Sequence, residues 1–319
     1  MATINNTNSN TLLSGTSNKD YILNEGSNVT ISGGKSSDYI DNYNGGNKVT
    51  INGNEGSDDI YNEGSMILIS GDDGDDTISS YGDYVTINGG VGIDSISNWG
   101  NKVTLFGGAG NDSIYNSKGY GDADGVLADG GIGNDYIRNF GSNSTLTGGD
   151  GNDTIGNYKY QYSRNTIDGC GSNVTINSGN GNDSICNSGF YVSINAGTGN
   201  DIIQNGGFQY NLGGSYVTIN AGAGNDTVSL GSEVLNNVIK YANGDGNDII
   251  YGIKSDSTVQ IATNSGYTTQ KSGNDLIIKV GSGKMTFKNG ADKSFKISTV
   301  KGGNSDTKTN TKKTQQDVI

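Results

Sequence analysis

An octapeptide close to Gly-Gly-x-Gly-Asn-Asp-x-Ile recurs twelve times along the 319-residue chain and constrains its fold more than any other feature. The sixth residue of every copy is an aspartate, and six of the eleven intervals between these aspartates are eighteen residues long. A fixed period of this length predicts a solenoid, in which each repeat packs on its neighbours, rather than a string of separate domains. Stacking would align the sixth-position residues in one column: Asp20, Asp38, Asp58, Asp76, Asp94, Asp112, Asp135, Asp153, Asp183, Asp201, Asp226 and Asp248.

Each eighteen-residue period divides into two halves of unlike chemistry. In residues 89–106 the first half, Gly-Gly-Val-Gly-Ile-Asp-Ser-Ile-Ser, is a glycine-rich turn that leads into a short strand. The second half, Asn-Trp-Gly-Asn-Lys-Val-Thr-Leu-Phe, carries Val103 where the first half carries Asp94. Period-two alternation points Ile96, Val103 and Leu105 inward. The sequence therefore predicts an all-β fold, a right-handed parallel β-roll or β-helix solenoid of about twelve coils with a thin core of facing β-branched ladders.

The repeat pattern changes near residue 239. We expect β-roll repeats over residues 1–238, a last acidic turn with a small β-rich cap over residues 239–300, and a disordered tail over residues 301–319 that would act as a secretion signal. Such a cap would cover the unpaired strand edges at the end of the stack. The longer intervals between aspartates predict three insertions in surface loops. These lie near residues 119–124, 156–166 and 206–212.

The acidic balance and the scarcity of ligand residues narrow the functional classes. The formal net charge of −13 disfavours binding to nucleic acid or to an anionic membrane surface. Only four of the 33 acidic residues are glutamates, and the shorter aspartate favours tight turns and hard-cation sites. The chain has no histidine, so we expect neither a histidine-dependent triad nor a Cys/His zinc site, and no enzymatic activity. Its two cysteines, Cys170 and Cys186, either form a disulfide or fill turn positions as small residues.

Several copies of the acidic turn match one known repeat closely. The stretches Gly-Gly-Ala-Gly-Asn-Asp-Ser-Ile-Tyr (107–115), Gly-Gly-Ile-Gly-Asn-Asp-Tyr-Ile (130–137) and Gly-Gly-Asp-Gly-Asn-Asp-Thr-Ile (148–155) resemble the nonapeptide of RTX (repeats-in-toxin) hemolysin-type calcium-binding β-roll proteins. The resemblance covers roughly residues 15–250, and the C-terminal cap is similar to the terminal domain of such secreted proteins. It implies that Ca²⁺ ions lie between consecutive turns and are held by sixth-position aspartates. The implied metal ligands are Asp58, Asp76, Asp94, Asp112, Asp135, Asp153, Asp183, Asp201, Asp226 and Asp248.

A column of aspartates also favours calcium on physical grounds. Two carboxylates separated by the strand spacing of about 4.8 Å repel by about 0.9 kcal/mol in bulk water, and by more in a protein interior. Calcium accepts about six to eight oxygen ligands in flexible geometry, whereas magnesium demands a stricter octahedron. Because the second half of each coil lacks the aspartate, we expect one row of ions, with weak occupancy at Asp20, Asp38 and Asp58, whose turns lack glycines. We expect Asp112 to matter more for stability in calcium than Asp124, which we assign to an insertion.

The predicted function is that of a secreted, calcium-binding structural or adhesive component of a surface layer, matrix or filament, whose folding is driven by calcium. Its start is polar and lacks an N-terminal signal peptide, and its last residues, Asp-Val-Ile, are similar to the ends of proteins exported by type I secretion. We therefore expect an extracellular or cell-surface location. The expected partners are calcium ions and either further copies of the chain or a cell-surface polysaccharide, without nucleic acid or membrane insertion.

Three alternatives stay open. The aspartate column could be turn chemistry that folds without metal. A carbohydrate-active enzyme is compatible with the fold, because parallel β-helices host sugar-cleaving enzymes that use carboxylates. An ice-binding surface is compatible with an outward threonine column, although threonine is simply favoured on exposed strands. That column consists of Thr30, Thr50, Thr86, Thr104, Thr145, Thr175 and Thr218.

Overall fold

The computed structural model describes residues 2–43, 46–117, 123–158, 171–206, 214–301 and 304–310. None of the described residues lies in a helix, so within this part of the chain no helix is long and apolar enough to cross a membrane. The chain divides into two compact units, residues 1–174 (unit 1) and residues 175–319 (unit 2). In each unit the strands alternate between two largely parallel sheets, as the repeat predicts. The predicted all-β solenoid is confirmed.

The first sheet of unit 1, called sheet A, is built from the strands that leave the acidic turns. Its nine strands pair in parallel with the next strand of the same series. They are β1 (Thr3–Asn6), β3 (Tyr21–Asn24), β5 (Tyr39–Asn42), β7 (Asp59–Asn62), β9 (Thr77–Ser80), β11 (Ser95–Asn98), β13 (Ser113–Asn116), β15 (Tyr136–Asn139) and β17 (Thr154–Asn157).

The second sheet of unit 1, called sheet B, is built from the strands that enter the acidic turns. Its eight strands are also parallel, and the pairing continues into the first residues of each turn. They are β2 (Leu12–Ser14), β4 (Thr30–Lys35), β6 (Thr50–Glu55), β8 (Leu68–Asp73), β10 (Thr86–Val91), β12 (Thr104–Ala109), β14 (Leu127–Ile132) and β16 (Thr145–Asp150).

Unit 2 repeats this arrangement and then changes it. Parallel pairing runs through β19 (Ser184–Asn187), β21 (Ile202–Asn205), β23 (Thr227–Leu230) and β25 (Asn247–Tyr251), and through β18 (Thr175–Asn180), β20 (Ser193–Thr198), β22 (Thr218–Asn220), β24 (Val238–Ala242) and β26 (Thr258–Ala262). The last strands include antiparallel pairs on both sheets. They are β27 (Thr268–Ser272), β28 (Asp275–Val280), β29 (Gly283–Phe287), β30 (Phe295–Lys301) and β31 (Asn304–Asn310).

Facing isoleucine and valine ladders form the core, as predicted. In sheet A Ile96 pairs with Ile114, and in sheet B Ile87 pairs with Leu105, so equivalent residues stack one coil apart. These four side chains are fully buried, and so is Val103 of the second half-repeat. Each buried side chain of this size contributes about 1.5–3 kcal/mol of hydrophobic stabilisation. Because every coil adds one such layer, the coils depend on their neighbours for burial.

A column of asparagines closes the corner that follows sheet A. The Nδ2 of Asn98 donates to the Oδ1 of Asn116 at 2.8 Å and to the carbonyl of Gly100 at 2.8 Å, while its own Oδ1 accepts from the Gly100 N–H. Asn98 is completely buried. Ser80 replaces asparagine once in unit 1, and its hydroxyl accepts from Asn62 at 3.1 Å. The column therefore satisfies buried amides along the stack and has a structural role.

Several sequence-based expectations need correction or fall outside the described residues. Residues 304–310, for which the sequence predicts disorder, form β31 against the edge of β30, because that edge offers unpaired backbone groups. The outward threonines do align, but Leu68 and Leu127 interrupt their row in unit 1. Cys186 is a free thiol, whereas Cys170 lies outside the described residues, as do most residues of the three predicted insertions.

Candidate metal centre

The acidic turn begins with glycines because its backbone cannot accommodate side chains. In the turn at residues 89–94, Gly90 and Gly92 have φ values of 122° and 140°, a region that L-residues rarely adopt. A Cβ atom at Gly90 would also collide with the carbonyl oxygen of Asp72, and one at Gly92 with that of Gly74. The carbonyls of one turn thus lie directly against the next turn. This close stacking of backbone oxygens distinguishes the acidic turn from an ordinary loop.

The sixth-position aspartates are buried rather than displayed to solvent. All twelve are at most 3% exposed. In most coils one carboxylate oxygen, Oδ1, accepts a hydrogen bond from the backbone N–H of the aspartate one coil earlier. The distance is 2.8 Å from the Asp94 N–H to Asp112, 2.8 Å from the Asp201 N–H to Asp226, and 3.1 Å from the Asp226 N–H to Asp248. The structure therefore aligns the predicted aspartates of each unit in one column. Within a column, the carboxylate of one aspartate is hydrogen-bonded to the backbone of the aspartate in the preceding coil.

The second carboxylate oxygen, Oδ2, is buried without a hydrogen-bond partner in most described copies. In the turn at residues 89–94, a Cβ at Gly89 would collide with the Oδ2 of Asp94 and closely approach the carbonyl oxygen of Gly107. Two oxygens of adjacent coils therefore converge on the face of this glycine. A buried charged oxygen without a partner is costly and calls for a counter-charge or a proton. The unpartnered Oδ2 atoms belong to Asp38, Asp58, Asp76, Asp94, Asp112, Asp135, Asp201 and Asp226.

Burial raises the pKa of these acids. Desolvation is the main cause that raises the pKa of Asp94 to about 6 and the pKa of Asp76 to about 7. In unit 2 desolvation likewise raises the pKa of Asp226 and of Asp248 to about 7, and the neighbouring carboxylate of Asp245 adds to both shifts. Near neutral pH the column therefore needs either protons or cations for its charge balance.

The first turn is an exception, because protein groups donate hydrogen bonds to the Oδ2 atom that most other turns leave unpartnered. Thr16 stands where most later copies carry a glycine, and it donates its backbone N–H at 2.6 Å and its hydroxyl at 2.8 Å to the Oδ2 of Asp20. The N–H of Ala2 donates to the Oδ1 of the same residue, and this bond is the main cause that lowers the pKa of Asp20. Both carboxylate oxygens of Asp20 are thus hydrogen-bonded by protein groups.

The carboxylate and carbonyl oxygens of the turns suit a hard cation, but side chains alone do not form the site. Within the described ranges no three Asp, Glu, Cys or His side chains converge as a metal cluster. Any ion would therefore take carboxylate oxygens from the column together with backbone carbonyls of the turns. An all-oxygen set of this kind is what Ca²⁺ binds, because it tolerates irregular geometry and mixed carboxylate and carbonyl ligands. The residues fit the ion that the sequence predicts.

The fifth position of the repeat has a role that was not predicted from the sequence. There the side-chain oxygen of one coil accepts from the backbone N–H of the next coil, as between Asn111 and Asn134 at 2.7 Å. The same contact joins Asn182 to Asn200 in unit 2 at 2.7 Å. In this ladder the N–H of the later coil donates to the earlier coil, whereas in the aspartate column the N–H of the earlier coil donates to the later one. The recurrence of Asn before the aspartate was the available signal.

The assignment of Asp124 to an insertion is wrong. Its Oδ1 accepts the backbone N–H of Ser142 at 2.6 Å, and its own N–H donates to Asn101 at 3.0 Å. The same bonding joins Asp83 to Asn101 one coil earlier at 2.7 Å. Asp124 therefore belongs to a second side-chain ladder, in the corner that precedes sheet B. The inserted residues shift the spacing before Asp124 without removing it from the coil.

Comparison with known proteins gives a structural likeness. No protein-family model matches the chain, and no curated protein matches its sequence. Among solved structures it is similar to the extracellular lipase LipA from Serratia marcescens, at 16% sequence identity over 85% of this chain and with a TM-score of 0.27. The chain covers 42% of that lipase, so it spans less than half of its length. At this identity and TM-score the likeness says nothing about activity or ligands.

Proposed function

We propose that this chain is a calcium-binding β-solenoid that folds when calcium neutralises its aspartate column. The observation that carries the proposal is the repeated buried Oδ2 atom, which lacks a protein partner at eight described positions. A single orphaned oxygen could be a local defect, but the same orphan in coil after coil indicates a repeated ligand. When bound, calcium supplies positive charge and accepts oxygen ligands at the turn.

The residues of the chain have separate roles in this proposal. The Oδ1 atoms hold each aspartate in register through the backbone of the preceding coil, so the side chain cannot swing into solvent. The Oδ2 atoms present negative charge at a fixed depth. The turn glycines, such as Gly89, keep this space free of side-chain carbon. We expect the strongest sites where these features coincide with a neighbouring acid, as Asp72 provides beside Asp76.

Calcium binding should be measured by its effect on protons as well as on folding. Because burial raises the pKa of Asp76 and Asp226 to about 7, binding near pH 6.5 should displace protons from the column. We expect calorimetric titration in buffers of different ionisation enthalpy to report that release. Far-ultraviolet circular dichroism should report a gain of β-structure over the same calcium range. Magnesium at equal concentration is the control and should produce a much smaller response.

Two results would contradict the proposal. One is a circular dichroism spectrum and a thermal melt that are identical in metal-free buffer and in calcium. The other is calcium binding without proton release, which would place the ions outside the buried column. The alternative of a turn that folds without metal predicts the first result, because protons and solvent would then suffice for charge balance.

For the biological role we propose a structural or adhesive component outside the producing cell. Extracellular calcium modules work at calcium concentrations of about 10⁻⁴–10⁻³ M, which would wind the solenoid after export. A structural or adhesive protein acts through the surface that it presents, so this role requires no catalytic residues. Fractionation of the producing cells tests the location: the protein should be found in the medium or on the cell surface. Recovery only from the cell interior would contradict this role.

A further inference from the structure

Four consecutive coils of unit 1 place long side chains where the backbone favours asparagine or glycine. In the corner that precedes sheet B, one residue of each coil has left-handed backbone dihedrals, with φ between 54° and 71°. Such dihedrals disfavour most L-residues, but glycine and asparagine adopt them readily. Five of the nine positions in unit 1 obey this rule, namely Asn10, Asn28, Gly125, Asn143 and Asn173. The other four are Lys48, Met66, Tyr84 and Lys102, which we call the ridge.

The ridge is continuous and projects into solvent. Its members lie one coil apart, because the backbone N–H of Met66 donates to the Asp83 carbonyl, that of Tyr84 to Asn101 and that of Lys102 to Asp124. All four side chains are exposed, including 51% of Met66 and 55% of Tyr84. Three spacings of about 4.8 Å give the ridge a length of roughly 14 Å. The left-handed backbone at these four residues lowers the stability of the fold, and their exposed side chains do not recover that loss by packing within the molecule.

Charged and apolar residues follow a regular order along the ridge. The two apolar residues are central, and a lysine lies at each end. The Nζ of Lys102 donates to the Tyr84 hydroxyl at 3.2 Å and lies 5.1 Å from the centre of its ring. Two carboxylates of the same corner, Asp83 and Asp124, each accept a backbone N–H of the following coil. The ridge is therefore apolar at its centre and cationic at its ends.

The acidic turns of the same unit carry a patch with the same order but the opposite charge. The third position of the repeat is charged at Asp73, apolar at Val91, Ala109 and Ile132, and charged again at Asp150, and these residues pair from coil to coil. Val91 is 60% exposed and Ile132 is 64% exposed. We call this row, together with the adjacent Ile93 and Asp75, the patch. Exposed aliphatic residues rimmed by charge are typical of interaction surfaces.

We infer that the patch of one molecule binds the ridge of a second copy. Both rows advance by one coil at a time. A shift of one coil along the stack therefore sets the Lys48 cation against the Asp73 carboxylate and Met66 against Val91. Within one coil they lie at opposite ends of a sheet B strand: Tyr84 precedes β10, and Val91 ends it roughly 23 Å away. A translation along the strand direction, combined with this shift of one coil, places the ridge of one copy against the patch of the other and leaves the second surface of each copy free.

Such an interface joins two different surfaces, so it generates an open row of molecules rather than a closed dimer. The inference rests on the proposed function in one respect: calcium must neutralise the aspartate column before chains with a net charge of −13 approach one another. Each contact involves few side chains, so a single interface is weak and assembly depends on protein concentration and on salt. The partner is the chain itself, in lateral rows.

Sedimentation velocity of the full chain in calcium tests this inference. We expect the mass to rise with protein concentration without a fixed end point, and to fall at high salt. The ridge variant Met66→Asn/Tyr84→Asn should weaken association by about tenfold or more, because it removes the aromatic anchor, while asparagine suits the backbone. The patch variant Val91→Ser/Ile132→Ser, which removes the apolar contact without adding charge opposite the lysines, should do the same.

Mixing the two variants distinguishes this interface from any symmetric one. The ridge variant keeps its patch and the patch variant keeps its ridge, so an equal mixture should form pairs and stop there. The variant Tyr191→Asn is the matched control, since Tyr191 is an exposed left-handed tyrosine of unit 2, and it should associate as the unaltered chain does. Circular dichroism of the same samples reports calcium-dependent folding separately, so failure of the proposed function is distinguishable from failure of this interface.

Three results would overturn the inference. They are a folded chain in calcium that stays monomeric at every concentration, variants that associate like the unaltered chain, and mixed variants that grow beyond pairs. Association that persists without any calcium-induced folding would contradict the proposed function but leave the ridge and the patch as the interface.

Discussion

Thr16 donates both its backbone N–H and its hydroxyl to the Oδ2 of Asp20, so the first turn satisfies with protein groups the oxygen that later turns leave unpartnered. The substitution Thr16→Val removes only the hydroxyl. We expect it to lower the free energy of unfolding by about 1 kcal/mol, since a buried carboxylate loses one donor. Chemical denaturation in calcium, in which the chain is folded, measures this loss. The control Thr30→Val, on an exposed strand, should change stability by less than about 0.5 kcal/mol, and an equal loss in both variants would contradict the role of Thr16.

Replacing a column aspartate by asparagine should change stability in opposite directions with and without calcium. In Asp94→Asn the Oδ1 atom still accepts the Asp76 N–H, while an amide replaces the buried Oδ2 near the Gly107 carbonyl. We expect the metal-free protein to gain about 1–3 kcal/mol and the calcium-loaded protein to lose stability relative to the unaltered chain. Thermal melts under both conditions measure this.

The control for that reversal is Asp124→Asn. Asp124 also holds a backbone N–H of the next coil, but it lies in the corner that precedes sheet B and is partly exposed. We expect a small change of the same sign under both conditions. If Asp94→Asn behaves like Asp124→Asn in both buffers, the buried column is not the calcium site.

The metal-free protein should become less stable as the pH rises from about 4 to about 7. Burial raises the pKa of Asp58, Asp94, Asp135 and Asp201 to about 6, above the value of 3.8 for the unburied acid. The folded state therefore binds more protons than the unfolded state in this window, and the free energy of unfolding falls with pH. Saturating calcium should remove or reverse the trend, because calcium replaces the protons. Urea denaturation across this pH range, in buffer stripped of metal, measures it, and a rise in metal-free stability with pH would contradict the burial of the column.

Met66→Asn should stabilise the folded chain. Met66 is exposed and has a φ of 61°, which disfavours L-residues by about 1–2 kcal/mol except those such as asparagine. We expect a gain of about 1 kcal/mol, measured by thermal or urea denaturation of dilute protein in calcium, where association does not contribute. Met66→Ala is the matched control, because alanine shortens the side chain but keeps the left-handed strain. Equal stability of the two variants would show that the backbone strain is not released.

The proposed ridge and the stability of the coil therefore make opposite demands on the same residues. Asparagine at positions 66 and 84 should favour folding but weaken association.

The alternation of residues determined most of the fold. Eighteen-residue spacing and inward isoleucines such as Ile96 predict the coil, because burial of a β-branched side chain every second residue leaves few other arrangements. The same spacing predicts which aspartates share a column. The hydrogen-bonded column that includes Asn98 can also be predicted from the sequence, because identical amides at one register bond to each other.

The tertiary structure alone decided how each polar group is satisfied. Sequence spacing does not show that Asp94 and Asp112 are joined through Oδ1 while Oδ2 stays unpartnered, because that division depends on the direction of the turn backbone. It misplaced Asp124, since an insertion changes the count of residues but not the hydrogen bond to Ser142. Nor does it reveal the left-handed backbone beneath Tyr84. Periodicity reports which residues are equivalent, whereas hydrogen bonds between coils and backbone dihedrals are fixed only when the coils stack.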